Sequence, residues 1–307
     1  MEINTAVLLV GGKGSRLYPL TKTRPKPLIK FLGKSIIEYQ LEMLSKVGVK
    51  RIILALNYFS DQIQAKVSEW ENKYGFKIIF SKEEIVLGTA GPLKLAERYI
   101  EGDSFLVFNS DIYTDVDLKA MIDKFTNANC EAMLLAAIVK DPSKFGLIST
   151  ERDTVIEFIE KPKEYKNDQE HCINGGMYIF KREILNYVEL REMSIEKEVF
   201  PIIVKNKQMK IYRHKGIWAD IGTPAEYLRG QKEVLEKEKR SNVFIGENVK
   251  MGKNVKLDNC VIFDDCTLEN NCKINNAMIG NGCIIKEESK INGNDYSIIG
   301  DKTEISK

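Results

Sequence analysis

The stretch AVLLVGGKGSRLYPLTKTRPKPLIKF, residues 6–31, decides the fold. Its apolar start is typical of a buried strand, and glycines end that strand before Arg16, Arg24, Lys26 and Lys30 follow with prolines between them. Glycines directly after a strand let backbone N–H groups approach an anion, and lysine and arginine neutralise phosphate oxygens. The segment therefore indicates a polyphosphate-binding turn, although spacing alone also allows a turn with solvated basic residues.

Two common phosphate motifs do not describe this turn. The Walker A pattern G-x-x-x-x-G-K-[ST] does not occur in it. The dinucleotide fingerprint G-x-G-x-x-G begins at Gly12 and Gly14 but fails at its last position, where Leu17 stands. Neither a P-loop nor a dinucleotide-binding family is indicated.

The first two hundred residues alternate apolar runs rich in β-branched residues with helical patterns. This order is typical of the α/β class and predicts a Rossmann-like, mostly parallel sheet flanked by helices. Individual elements include a helix opened by a capping box at Ser35 and Glu38, a strand at 51–57, and helices at 182–188 and 195–204.

A long polar helix that starts at Thr223 and reaches about residue 240 closes the first domain. Beyond it a six-residue period predicts a parallel β-helix whose coils bury small or apolar side chains. The period is carried by Asn248, Asn254, Cys260, Cys266, Cys272, Met278 and Ile284. We expect domains at 1–240 and 241–307, with the cysteines as buried core residues rather than metal ligands.

Composition narrows the function. Hydrophobic content of 43%, charged content of 29% and the absence of a membrane-length apolar run predict a soluble globular protein. The N-terminus lacks a secretory signal pattern and the six cysteines lie apart, so we expect reduced thiols and a cytoplasmic location. Two isolated histidines give little support to a histidine metal site or a Cys/His nucleophile pair. A net charge of +2 favours small ligands over nucleic acids.

The opening segment closely resembles the signature of the sugar-1-phosphate nucleotidyltransferases. Further matches follow in order over residues 3 to about 230: LGTAGPL at 87–93, NSDI at 109–112, EKP at 160–162, NGGMY at 174–178 and WADIGT at 218–223. The hexapeptide tail resembles the left-handed β-helix that many members append. The resemblance implies a GT-A-like nucleotidyltransferase catalytic domain over 1–240.

Residue by residue, the resemblance implies three groups of ligand contacts. Nucleotide contacts are expected from Leu9, Gly11, Gly12, Gly14, Ser15, Arg16, Lys26, Glu83, Gly88, Thr89 and Asp111. Sugar-phosphate contacts are expected from Asn109, Gly146, Glu160, Lys161, Asn174 and Gly175. Asp111 and Asp220 are expected to hold Mg²⁺, and Arg16, Lys26 and Lys161 to be catalytic. Without the other motifs, the residues at 160–161 could be explained as an exposed ion pair, and those at 111, 174–175 and 220 as turn or cap residues.

The implied reaction is in-line attack by a sugar-1-phosphate oxygen on the α-phosphate of a nucleoside triphosphate, which expels pyrophosphate. No covalent enzyme intermediate and no general base are needed, because phosphate monoester oxygens are already ionised near neutral pH. Alignment, Mg²⁺ and the cations at 16 and 26 would supply catalysis.

Within the family, SKEEIVLGTAGPL, NSDI, SIEKEVFP and GIWADIGTPAEYL look most like mannose-1-phosphate guanylyltransferases, which make GDP-mannose. Guanine offers an N1–H and an exocyclic amine, whose hydrogen bonds Glu83, Glu84 or a loop carbonyl could accept, whereas a pyrimidine would require a different pattern. Thymidylyl or uridylyl transfer to glucose-1-phosphate is the alternative, and a non-catalytic regulatory subunit of the same fold is a third. The β-helix also predicts a homo-oligomer. We expect no nucleic-acid or membrane partner.

Overall fold

The computed structural model describes residues 2–56, 60–166 and 168–306. The chain forms two compact units. One contains Met1–Gly12 and Gln40–Gly216, and the other contains Lys13–Tyr39 and Ile217–Lys307. The second unit therefore joins most of the basic signature segment to the C-terminal part of the chain.

Strands and helices alternate as the sequence predicts. The strands are β1 Thr5–Leu9, β2 Lys30–Phe31, β3 Lys34–Ser35, β4 Arg51–Leu56, β5 Lys77–Lys82, β6 Ser104–Asn109, β7 Ile112–Thr114, β8 Ala132–Val139, β9 Gly146–Glu151, β10 Thr154–Glu160, β11 His171–Lys181, β12 Met209–Arg213, β13 Trp218–Asp220, β14 Val243–Ile245, β15 Lys250–Met251, β16 Lys256–Ile262, β17 Thr267–Leu268, β18 Lys273–Ile279, β19 Ile284–Ile285, β20 Lys290–Ile299 and β21 Glu304–Ile305. The α-helices are α1 Ile36–Lys46, α2 Ser60–Tyr74, α3 Gly91–Ala96, α4 Leu118–Thr126, α5 Phe200–Lys205 and α6 Pro224–Lys237.

The first unit is built on a sheet in the order β5-β4-β1-β6-β11-β8-β12-β10-β9. The strands from β5 to β6 run parallel, and so do β8 and β12, whereas β11 lies antiparallel between β6 and β8. The side chains of Val7, Phe105, Val107 and Phe180 are fully buried in one core. Because β1 and β6 are parallel neighbours, their carboxyl ends and the residues that follow lie at one edge of the sheet.

Local signals place the helix ends where the sequence predicts them. Ser35 Oγ donates to Glu38 Oε2 at 2.6 Å at the start of α1, and Gly48 follows its end with a left-handed φ of 81°. Thr223 Oγ1 accepts from the Glu226 N–H at 3.3 Å, so the threonine caps α6. The predicted strand at 51–57 is β4, and its last residue, Asn57, lies outside the described residues.

Two predicted helices are less regular than expected. Residues Arg182–Tyr187 form a 3₁₀ turn, and Ile195–Val199 form a π-helical turn before α5 begins at Phe200. Pro201 has no N–H to donate to the preceding turn, so a regular α-helical ladder cannot run through this point. Helices are therefore present in both predicted places, as a 3₁₀ turn in the first and as a π-helical turn followed by α5 in the second.

The C-terminal coils form two parallel sheets, in the orders β14-β16-β18-β20 and β15-β17-β19-β21. Equivalent residues of the earlier coils are 17 apart, as in Cys260 opposite Ala277 and Thr267 opposite Ile284, which is one residue fewer than three hexapeptides. In the last coil the spacing becomes 20 residues, as in Ala277 opposite Ser297. Left-handed turns at Asn248, Asn254, Asn259 and Asp265 give sides of six, five and six residues. Asparagine and aspartate tolerate this conformation because their short polar side chains bond locally.

This shorter side corrects the predicted register. After Cys272 the buried row continues at Ala277 and Cys283, and Ile284, which was expected in that row, has 36% of its surface exposed. The four cysteines of the coils are free and buried, which confirms them as core residues. In the part of the chain that the structure describes, no helix has both the length and the apolar character that a bilayer crossing requires.

Candidate functional site

The glycine turn begins where β1 ends in the first unit. Leu9 pairs with Ala55 on one side and with Asn109 on the other, so the strand is central in the sheet. Gly11 and Gly12 follow it directly. A Cβ added at Gly12 would meet nothing within 4 Å, so the space beside this residue is open. Packing does not demand glycine there, whereas close approach of a ligand to the backbone would.

Glu83 lies directly after β5 and is 6% exposed. Its Oε2 accepts a hydrogen bond from the Leu87 N–H at 3.1 Å, which orients the carboxylate within the loop. Burial raises the pKa of Glu83, and the bond from Leu87 lowers it in part. A carboxylate held in this way is a directed acceptor for the N–H groups of a ligand.

Gly88 owes its identity to packing inside the protein. Its φ of 74° is left-handed, and an added Cβ would lie 2.5 Å from the Met193 carbonyl oxygen. The N–H groups of Thr89 and Ala90 donate to that same carbonyl at 3.0 and 2.9 Å. Packing against Met193 is therefore enough to explain why residue 88 is a glycine, without the expected ligand contact.

The loop continues into a polar network that the sequence did not indicate. Thr89 Oγ1 donates to Glu196 Oε2 at 2.8 Å and accepts from the Ile195 N–H at 2.9 Å. Ser194 Oγ also donates to Glu196 Oε2 at 2.8 Å. Because Thr89 and Glu196 are 107 residues apart in the sequence, only the fold shows that Glu196 contacts this loop.

Asn174 lies in β11 where the strand carries a bulge. The pairing register with β8 shifts between Asn174 and Tyr178, and an added Cβ at Gly175 would lie 2.8 Å from the Leu135 carbonyl oxygen. Asn174 Nδ2 donates to Tyr178 Oη at 2.9 Å, and Asn174 Oδ1 accepts from the Gly176 N–H at 3.1 Å. Burial raises the pKa of Tyr178 well above its usual value, so the phenol stays neutral as a hydrogen-bonding group.

Asn109, at the end of β6, approaches this bulge. An added Cβ at Gly176 would lie 3.0 Å from Asn109 Nδ2, and Gln40 Nε2 donates to the Asn109 backbone carbonyl at 2.8 Å. Asp111 lies two residues further on, before β7. Asn109 and Asn174 thus both lie close to Gly176, and their expected contact with a sugar phosphate stays a prediction.

Glu160 ends β10 opposite Gly146, the first residue of β9. Burial raises the pKa of Glu160, the charge of Glu196 raises it further, and Lys161 lowers it in part. Lys161 Nζ lies 3.8 Å from Glu160 Oε1, and the lysine side chain is 67% exposed. Glycine at 146 has a packing reason, since an added Cβ would lie 2.3 Å from the Phe158 ring.

In the second unit, the basic segment folds as a series of short 3₁₀ turns, at Ser15–Leu17, Leu20–Lys22 and Lys26–Leu28. Gly14 precedes the first turn with a φ of 64°, and Thr21 Oγ1 donates to its carbonyl at 2.9 Å. An added Cβ at Gly14 would lie 2.8 Å from Thr21 Cγ2, so glycine is required where the turns close on each other.

Three predicted site residues of the second unit meet around Gly222, in the loop between β13 and α6. The position of a Cβ on this glycine lies 2.7 Å from Asp220 Oδ1, 2.9 Å from Lys26 Nζ and 3.1 Å from Arg16 Nη2. Asp220 Oδ1 also accepts from the Gly222 N–H at 2.8 Å, and Lys26 is only 8% exposed. Two cations and one carboxylate are thus gathered at a position without a side chain.

A cavity of about 960 Å³ lies elsewhere in the first unit. Of the described residues that line it, none is a predicted site residue, and they include Thr150, His171, Cys172 and Arg213. His171 is 5% exposed and its Nε2 lies 2.7 Å from the Lys166 carbonyl oxygen, so this histidine is satisfied within the fold.

Comparison with known proteins identifies the class. Residues 5–237 match the family described as Nucleotidyl transferase, and residues 238–307 match the family described as GMPPB C-terminal domain. The chain therefore belongs to the nucleotidyl transferase family, as the motifs predict.

Two similar proteins carry names for the same activity. The chain is 41% identical over 229 residues to the mannose-1-phosphate guanyltransferase of Debaryomyces hansenii. The matched region covers 73% of this chain and 62% of that protein. It is 37% identical over 241 residues to the mannose-1-phosphate guanylyltransferase catalytic subunit beta of Xenopus tropicalis, covering 77% and 66%. The chain thus spans about three fifths to two thirds of the length of these relatives.

Solved structures agree on the fold. The crystal structure of HddC from Yersinia pseudotuberculosis is similar at 30% identity and a TM-score of 0.62, with 74% of this chain and 98% of that one covered. HddC complexed with GMP-PN matches with a TM-score of 0.61 at the same identity and coverage. A putative glucose-1-phosphate thymidylyltransferase from Bacillus anthracis matches at 25% identity and a TM-score of 0.66, covering 74% and 93%.

Proposed function

We propose that this protein transfers a guanylyl group from GTP to mannose-1-phosphate, releasing pyrophosphate and GDP-mannose. The observation that carries the proposal is the gathering of Arg16, Lys26 and Asp220 around Gly222. Two cations beside a carboxylate suit a triphosphate that is bound with a metal ion. The names of the relatives support guanine and mannose as the particular base and sugar.

The nucleotide would lie against the open backbone after β1. Gly11 and Gly12 would admit the base, with Leu9, Gly88 and Thr89 nearby, and Glu83 would accept the N–H groups of guanine. Burial and the bond from Leu87 hold this carboxylate in one orientation, which suits guanine because its N1–H and exocyclic amine present two adjacent donors.

Arg16 and Lys26 would bind the phosphate oxygens, with Gly14 and Ser15 shaping the turn that carries Arg16. The sugar-1-phosphate oxygen attacks the α-phosphorus, and the bond from that phosphorus to the bridging oxygen of the β-phosphate breaks. Both cations neutralise charge that accumulates on pyrophosphate as it leaves. Lys161, mostly exposed in the protein alone, would bind the attacking phosphate and align it for the in-line step.

The donor set fits Mg²⁺. This ion is held in proteins by one or two carboxylates, and substrate phosphates and water complete its shell. Asp220 and Asp111 would supply such carboxylates, and among the described residues no group of three or more His, Cys, Asp or Glu side chains forms a larger metal site. When bound, Mg²⁺ would neutralise phosphate charge and polarise the α-phosphate.

The sugar would contact the polar groups near the bulge of β11. Asn174 is oriented by Tyr178, and Asn109 lies close to Gly176 in the same region. Glu160 would accept hydrogen bonds from sugar hydroxyls, and the backbone at Gly175 and Gly146 would adjoin the sugar phosphate. Paired amide and carboxylate groups recognise hydroxyl-rich ligands because they offer both donors and acceptors.

We also propose that residues 1–240 are the catalytic domain and that residues 241–307 form a left-handed β-helix through which copies of the chain associate in the cytoplasm. Supporting this, Met251 in β15 and Ile284 in β19, two strands of the same sheet with β17 between them, are 50% and 36% exposed. Sedimentation at micromolar concentration should give an oligomer, and a monomer would contradict this part of the proposal.

Isosteric loss of the two proposed metal ligands tests the reaction. Asp111→Asn and Asp220→Asn should each lower kcat at least about 100-fold in a pyrophosphate-release assay with GTP, mannose-1-phosphate and Mg²⁺. Asp123→Asn, an exposed change in α4, is the control and should keep full activity. Circular dichroism should remain unchanged throughout. Retention of more than half the activity by both site variants would refute the metal role.

A further inference from the structure

Two cations of the basic segment have partners in the β-helix. Within the second unit, Arg24 Nη2 forms an ion pair with Asp301 Oδ2, which also accepts from Thr23 Oγ1 at 2.5 Å. Lys30 Nζ lies 2.5 Å from Asp264 Oδ2. The Arg24 and Asp301 side chains are only 14% and 10% exposed, so this pair is shielded from water. These cations are therefore engaged by the protein itself.

Each carboxylate uses its two oxygens for different tasks. Asp264 Oδ1 accepts from the Glu247 N–H at 3.1 Å, and Asp301 Oδ1 accepts from the Asn281 N–H at 2.8 Å. Both bonds close a turn on the preceding coil. The Oδ2 atoms are thereby left to face the basic segment, and each aspartate joins a coil corner to a cation.

A third corner of the same kind, at Asn270, closes its turn with an uncharged side chain. Asn270 Oδ1 accepts from the Lys253 N–H at 2.8 Å, as the aspartates do in their own corners. A neutral amide thus closes the turn without a negative charge. The charge at Asp264 and Asp301 is therefore not needed by the β-helix, and its contacts are with Lys30 and Arg24.

Other contacts hold the same segment at both ends. An added Cβ at Gly300 would lie 3.1 Å from Pro19 Cγ, so the proline already packs on the corner beside Asp301. At the other end, Tyr227 Oη donates to the Lys30 carbonyl at 2.7 Å. Burial alone would raise the pKa of Asp301, but bonds from Thr23 and Arg24 hold it below its usual value, so the aspartate is ionised at neutral pH.

We propose that Asp264 and Asp301 are positioning residues for the triphosphate site, and that the β-helix braces the segment that carries Lys26. Lys26 lies between the two anchored cations, two residues after Arg24 and four before Lys30. Fixing both flanks holds the ammonium group at Gly222 without using the charges of the flanking residues for ligand binding. This inference rests on the proposed function and assigns it a determinant outside the signature motifs.

Asparagine substitution tests the two ion pairs separately from the closure of the coil corners. Asp264→Asn and Asp301→Asn keep the oxygen that closes the coil corner and remove the charge that faces Lys30 or Arg24. The double variant should raise the KM for GTP about tenfold and lower kcat several-fold, while the KM for mannose-1-phosphate stays within twofold. Asp265→Asn is the matched control, because it removes a charge at the adjacent residue, where Oδ1 accepts from Asn248 and φ is 60°.

A second readout does not depend on turnover. Hydrogen exchange of the apo protein, followed by mass spectrometry over residues 19–30, should accelerate about tenfold in the double variant and remain unchanged in Asp265→Asn. Arg24→Gln combined with Asp301→Asn should raise the KM for GTP no more than either change alone, because both remove one ion pair.

The two hypotheses fail in different ways. Wild-type protein that turns over no combination of nucleotide and sugar-1-phosphate would refute the proposed function, and hydrogen exchange would still test the brace. Active wild-type protein with an unchanged KM for GTP in the double variant would overturn the positioning role. Unchanged exchange over residues 19–30 would overturn the brace itself.

Discussion

Gly222 offers a way to disturb the charged cluster without removing any charge. Its φ lies outside the left-handed range, so alanine is compatible with the backbone. Its Cβ would lie 2.7, 2.9 and 3.1 Å from Asp220 Oδ1, Lys26 Nζ and Arg16 Nη2. To reach an ordinary contact of 3.4 Å, these atoms must retreat by about 0.7, 0.5 and 0.3 Å. All three are side-chain ends, so they can move while the fold remains.

Displacements of this size are large for a phosphoryl-transfer site. A misplacement of about 1 Å can lower a rate about 100-fold, so Gly222→Ala should lower kcat/KM about 10- to 100-fold, or about 1.4 to 2.7 kcal/mol. The melting temperature should change by no more than a few degrees, because alanine also lowers the entropy of the unfolded chain by about 0.4 to 1 kcal/mol. Steady-state kinetics with pyrophosphate detection and thermal unfolding measure both effects. Full activity in a folded Gly222→Ala protein would refute the claim that the three charged side chains around Gly222 form the phosphate site.

Three other changes test separate parts of the site. Lys26→Met should lower kcat/KM about 100- to 1000-fold in the same kinetic assay while its buried stem keeps the fold, and a loss below tenfold would contradict a phosphate role. Tyr178→Phe leaves Asn174 Nδ2 without its bond, so denaturant titration should show a loss of about 1 to 3 kcal/mol and kinetics a higher KM for the sugar-1-phosphate alone. Because burial and Glu196 raise the pKa of Glu160, ionising it destabilises the folded protein as pH rises above about 4.5. Glu160→Gln should therefore raise the melting temperature at pH 7.5 but not at pH 4, with activity reduced; an equal gain at both pH values would be incompatible with the charge argument.

The sequence carried most of the local structure before the β-helix. Apolar strands ending in glycine or aspartate, the capping box at Ser35 and the threonine cap of α6 are local signals, and each lies where it was predicted. The family resemblance added residue roles that spacing could not supply. It could not separate ligand contact from packing at Gly88 and Gly146, where glycine is required by Met193 and Phe158.

Features that depend on distant contacts could not be predicted. Glu196 meets Thr89 only because the chain returns to that loop. The 17-residue coil depends on a five-residue side between Asn254 and Asn259, which a six-residue sequence period conceals. Likewise, Asp264 and Asp301 read as ordinary turn residues until their second oxygens are seen to face the basic segment.

Substrate choice tests the central claim most directly. Initial rates of pyrophosphate release should be measured with GTP, dTTP, UTP and ATP, each against mannose-1-phosphate and glucose-1-phosphate in the presence of Mg²⁺. The proposed function predicts the highest kcat/KM for GTP with mannose-1-phosphate, by about 100-fold over the pyrimidine nucleotides, because Glu83 is placed to accept the N–H groups of guanine. A preference for dTTP or UTP with glucose-1-phosphate, or no turnover with any pair, would contradict it.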